Sequence, residues 1–197
     1  MQGRDLEAQV RVELEQIMPI VSTLTGLPAR WSGRVELVEN VGFLGQKRFS
    51  CDILIRKSLA GQPDRWPTLI HEALHAASTG YVRRDFLELP GWEEGVVEHL
   101  QRLFRPAILS HLGVLVSEAI FKTRESNHAY NPYIKMLEKI RAALPVSEVQ
   151  FYQQLLATPI AGRPASIFKQ IRSLPGETQR DALTIYSAAS ATLRTHL

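Results

Sequence analysis

A chain of 197 residues with 45% apolar and 22% charged side chains is long enough to bury a full hydrophobic core without covalent or metal staples. It has no run of about 18 uncharged apolar residues, which argues against a membrane span, and its one cysteine, Cys51, excludes an internal disulfide or a cysteine-based zinc cluster. The net charge of +3 is carried partly by scattered pairs such as Lys47-Arg48, Arg56-Lys57 and Arg83-Arg84, a distribution that permits an acidic or nucleic-acid partner without requiring one. The opening residues alternate charged and apolar types with no cleavable apolar core, so the expected compartment is the cytoplasm.

Apolar residues Leu6, Val10, Leu14, Ile17 and Val21 recur at helical steps and predict a first helix from Arg4 to about Leu24, ended by Gly26 and Pro28. Alternation then takes over: Val35 and Leu37, followed by Phe49, Cys51, Ile53 and Ile55 against Ser50, Asp52 and Arg56, predicting two or three strands. Beyond Pro63 the helical period returns. Asp64 is a candidate cap, Pro67 suits a first turn, and Gly80 supplies a stop, so a helix is expected over about 65–79. Further helices are expected from Trp92 to about Phe104, from Pro106 to about Thr123, and from Pro132 to Leu144. Three more are expected from the capping-box signature "SEVQ" at 147–150 to about Ala157, from Ser166 to Leu174, and from Thr178 to His196. The expectation is an α+β chain forming a single domain over 1–197. Its parts are an N-terminal helix (1–27), a sheet with the motif helices (28–125), and a helical C-terminal part (126–197).

The chemistry-bearing stretch is "PTLIHEALHAASTG" at 67–80, with His71, Glu72 and His75. Residues four apart on a helix share a face, so the two imidazoles can ligate one ion while Glu72 stays available as a base for a water whose acidity the ion raises. An accidental pattern on an ordinary amphipathic helix is the competing reading. Against it, two histidines and a glutamate among Leu69, Leu74 and Ala76 are costly to bury without partners. A catalytic zinc needs a third protein ligand, and "GWEEG" offers Glu94 after eighteen intervening residues, with Glu93 as the neighbouring alternative.

The sequence H-E-x-x-H followed by eighteen residues and a glutamate before glycine resembles the gluzincin class of zinc metallopeptidases. The resemblance implies Zn2+ held by His71, His75 and Glu94, Glu72 as the base, and a mainly helical zincin-like fold with a small sheet before the motif helix. Glu98, one turn beyond Glu94, suits a hydrogen bond to a ligand histidine. The class commonly takes its oxyanion donor from a Tyr or His of a later segment. Here "NHAYNPY" offers Tyr130, with Tyr133 and His128 as alternatives, unless Tyr133 packs into the core and His128 is merely exposed. Spacing separates the chain from metzincins and SprT-like proteases, because no histidine follows His75 at their positions and His99 lies inside the helix opened near Glu94.

Size, sheet and helical remainder are similar, over roughly residues 30–135, to small bacterial regulatory peptidases of the ImmA and IrrE kind, including CapP-like members of anti-phage CBASS operons. This implies limited endoproteolysis of one protein partner, such as a helix-turn-helix transcriptional repressor, in stress or antiviral signalling. The alternatives are an aminopeptidase-like small gluzincin and a zinc-binding regulatory module without proteolysis, the latter responding to a nucleic-acid signal. Cys51 has two readings: a core thiol in a strand, or an inhibitory fourth zinc ligand.

Overall fold

The computed structural model describes residues 2–39 and 41–196. The chain is α+β, 66% helical with one three-stranded sheet. By its contacts it forms two compact units, the first made of residues up to Ala77 with Leu100–Glu125, the second of Ser78–His99 with Ser126 onward.

In the first unit, helix α1 (Gln2–Thr25) buries Val10, Leu14, Ile17 and Val21 completely. Removing each such side chain from water contributes about 1.5–3 kcal/mol, and this stripe carries the helix through Pro19, which lies inside it. Strands β1 (Val35–Val38), β2 (Gly45–Lys47) and β3 (Ile53–Arg56) follow, in the spatial order β1-β3-β2. The central β3 runs parallel to β1 and antiparallel to β2. Ile53, Leu54 and Ile55 are therefore all buried, as a strand covered on both faces requires.

The alternation across 49–55 does not form one strand. Phe49, Ser50 and Cys51 make the loop of the β2–β3 hairpin: the Cys51 N–H donates to the Arg48 carbonyl at 2.9 Å, and the Arg48 N–H to the Asp52 carbonyl at 2.8 Å. Cys51 takes a φ of 73°, the left-handed residue that closes a three-residue hairpin loop. It is half-buried at a turn, and Phe49 is 41% exposed. Strand periodicity and a tight hairpin share this spacing, which is why the sequence alone misreads it.

A short helix, α2 (Lys57–Ala60), leads to α3 (Arg65–Ala77). Asp64, the expected cap, pairs with Arg124 at 2.9 Å. The start of α3 is also tied down by Arg65, whose guanidinium donates to both Glu13 oxygens at 2.7 and 2.8 Å, fixing α3 against α1 by a fork of charge-assisted bonds.

Helix α4 (Arg83–Glu88) precedes α5, which spans Pro90–His111 without a break at Pro106. The expected boundary between two helices at that proline is therefore absent. Proline forfeits one helical hydrogen bond, and buried Val96, Val97, Leu100, Phe104, Ile108 and Leu109 supply enough apolar contact on either side to outweigh it. The next helix, α6, covers only Glu118–Glu125. In the second unit follow α7 (Asn131–Ala142), α8 (Glu148–Ala157), a 3-10 turn (Ile160–Gly162), α9 (Arg163–Arg172) and α10 (Gly176–Thr192). Ser147 caps α8 by accepting from the Gln150 N–H. Gly95 lets α5 approach α7 closely: a Cβ there would lie 2.8 Å from Leu137 Cδ1 and 2.9 Å from Tyr133 Cβ. Among the described residues no helix is long and apolar enough to cross a membrane.

Candidate metal centre

Helix α3 owes its place to Leu69, Ile70, Ala73, Leu74 and Ala76, all buried. That burial turns the adjoining polar positions inward as well. The His71 and His75 rings meet edge to face with centroids 4.7 Å apart, and their Nε2 atoms are 3.1 Å from each other. Two Zn–N bonds of about 2.0–2.1 Å drawn from nitrogens at that separation meet at roughly 100°, close to the tetrahedral value, so the imidazole pair fits one ion. Glu94, on the first turns of α5, completes the set: His71, His75 and Glu94 each offer a ligand atom within 4.8 Å of the others, in a buried group that can hold a metal ion. His71 keeps part of its surface exposed. Two imidazoles and one carboxylate form a donor set suited to zinc with a position left open.

Glu72 stands outside those three ligands. It is 4% exposed, and its Oε2 accepts the backbone N–H of Lys47 on β2 at 2.5 Å. The carboxylate is thus held by strand backbone, which cannot change rotamer. Gly45 makes the approach possible: a Cβ there would lie 2.5 Å from Thr68 Cγ2 and 2.9 Å from Glu72 Oε1, a clash that forces one partner to shift. We expect Gly45→Ala, which must displace Thr68 or Glu72, to lower Tm by several degrees in a thermal melt, and an unchanged Tm would show that β2 does not pack closely against α3.

Glu93 is turned elsewhere. It is fully buried and ion-paired with Arg163 at 2.7 Å, and its Oε2 also accepts from the Ser78 hydroxyl at 2.9 Å. Burial pushes the Arg163 pKa down, opposed by the charge of Glu93. Glu98 is buried, and His128 Nε2 lies 4.0 Å from its Oε1. Tyr130, half-buried at the N-cap of α7, has the His128 ring 5.1 Å away. Tyr133 is in the core at 1% exposure, its hydroxyl donating to the Thr195 carbonyl at 2.5 Å. Cys51 is not among the residues whose ligand atoms come together.

A second trio, His99, Glu138 and Glu148, also falls within 4.8 Å. Its charges are matched internally: His99 Nε2 meets Glu148 at 2.9 Å, and the Arg141 guanidinium holds both Glu138 oxygens. Burial raises the Glu138 pKa, but Arg141, Tyr152 and the charge of His99 together outweigh it, and the carboxyl ends below its usual range. The Arg141 guanidinium thus already neutralises one of the trio's two carboxylates.

Sequence reasoning did not single out Gly45, Lys47, Ser78 or Arg163. At Arg163 the signal was hidden because the expected helix began at Ser166, whereas α9 begins at Arg163 itself. Compared with known protein families, with curated proteins and with solved structures, the chain matches none.

Proposed function

We propose that this protein is a zinc-dependent endopeptidase of zincin-like fold that makes a limited, regulatory cut in a protein partner. The observation that carries the proposal is the juxtaposition of three convergent ligand side chains, His71, His75 and Glu94, with a buried carboxylate, Glu72, that belongs to none of them. A purely structural metal site has no use for the fourth group, because structural zinc takes a closed set of ligands.

His71, His75 and Glu94 would hold the ion, which supplies Lewis acidity when bound, polarising a carbonyl and lowering the pKa of water. Glu72 takes the proton of the attacking water on its carboxylate and returns it to the leaving amine. Since Lys47 N–H already fixes Oε2, the base is oriented before substrate arrives, and little ordering remains to be done during the reaction. Tyr130 is the proposed donor to the developing oxyanion. Tyr133 suits the role less, because its hydroxyl proton is committed to the Thr195 carbonyl.

The proposed partner is a helix-turn-helix repressor in a stress or anti-phage response. The zinc-loaded protein incubated with a helix-turn-helix protein encoded beside it is expected to yield two discrete fragments. If zinc is fully bound yet every such partner stays intact, the endopeptidase reading gives way to a zinc-binding regulatory module.

A further inference from the structure

The eighteen residues between His75 and Glu94 are closed near both ends by one buried network. Ser78 follows α3 directly and Glu93 precedes Glu94; their side chains are bonded at 2.9 Å. Arg163 joins both. Its Nη2 donates to Ser78 Oγ at 2.8 Å, its Nη1 to the Trp92 carbonyl at 2.6 Å and to Glu93 at 2.7 Å, and its Nε to the Thr158 carbonyl at 3.1 Å. Arg163 and Glu93 are both 0% exposed.

A buried pair of this kind is a poor source of stability, since apolar residues of similar volume usually do as well or better. What the pair does supply is a choice between two adjacent carboxylates. Neighbouring residues on a helix point about 100° apart, so Glu93 and Glu94 cannot both face the histidines, and turning the first turn of α5 by about that angle would exchange them. The guanidinium neutralises Glu93 and binds the Trp92 carbonyl in the same turn, locking that rotation.

We infer that Arg163 is a positioning residue for the metal centre: by holding Glu93, Ser78 and the Trp92 carbonyl it selects Glu94 as the third ligand and excludes Glu93. This rests on the metal reading of His71, His75 and Glu94. Outer residues that orient metal ligands typically change affinity by about 10–100-fold when removed.

The double variant Glu93→Leu/Arg163→Met removes both buried charges together and should fold. It is expected to bind zinc 10–100-fold more weakly, measured by competition with a chelator, and to show an altered visible spectrum when loaded with cobalt(II). Arg163→Lys keeps the charge but loses the fork, so it carries the same test in a protein with no unpaired buried carboxylate; several-fold weaker zinc binding is expected. Ser147→Ala, which removes the cap of α8 in the same unit, serves as the control. It should lower Tm yet keep wild-type zinc affinity and cobalt spectrum. Wild-type affinity and spectrum in either Arg163 variant, or an equal loss in Ser147→Ala, overturns the inference. A wild-type protein that binds no zinc removes the metal reading itself, a distinguishable result.

Discussion

Glu72→Gln is expected to keep its fold and its zinc while losing about 10²–10⁴-fold in the rate of partner cleavage, equivalent to roughly 3–5 kcal/mol of barrier. Glutamine has the same shape, and its amide oxygen can still accept the Lys47 N–H that now meets Glu72 Oε2. What it cannot do is accept a proton. Zinc content should hold because Glu72 is not one of the three grouped ligands. Glu72→Ala is a less clean variant: it leaves the buried Lys47 N–H without that acceptor, at a cost of about 1–3 kcal/mol, and so mixes stability with chemistry. Zinc content, a thermal melt and fragment yield measured on one preparation of Glu72→Gln decide the matter. A zinc-loaded variant that still cleaves at the wild-type rate removes Glu72 from the chemistry and leaves the proposed mechanism without a base.

The sequence carried the local signals that make α3 a helix, because Leu69, Leu74 and Ala76 repeat at its period and Pro67 and Gly80 bracket it. It also carried the capping serine of α8, where Ser147 and Gln150 sit three apart. What it could not carry were decisions made by distant residues. Pro106 looks like a boundary in isolation, yet α5 passes through it because apolar residues on both sides are buried. Phe49 to Cys51 continue a strand pattern, but the backbone turns there and Cys51 adopts a left-handed φ. Spacing and the glycine that follows favour Glu94 over its neighbour Glu93, but the partner of Glu93 was out of view: Arg163, seventy residues downstream, pairs with it. Gly45 reads as loop punctuation until Thr68 and Glu72 are placed against it.

Removal of one ligand gives the sharpest test of the metal centre. Wild-type protein is expected to carry one zinc, and His71→Ala none, because the remaining imidazole and carboxylate lose the partner whose Nε2 lies 3.1 Å from that of His75. The effect on stability follows from linkage. An ion present at a thousand times its dissociation constant stabilises the folded state by about 4 kcal/mol, and for a chain of this size each kcal/mol moves Tm by roughly 2–4 °C. A chelator should therefore lower the wild-type Tm by roughly 10 °C, and added zinc should restore it. His71→Ala should melt at one temperature with or without zinc, near that of the chelated wild type, since His71 is the partly exposed member of the three and its truncation leaves little unfilled space. The comparison also separates the two clusters, because His99, Glu138 and Glu148 are untouched by the substitution. Full zinc in His71→Ala, with an undiminished response of Tm, would place the ion away from α3. Glu72, fixed to Lys47 in that case for structural reasons alone, would then have no reaction to serve.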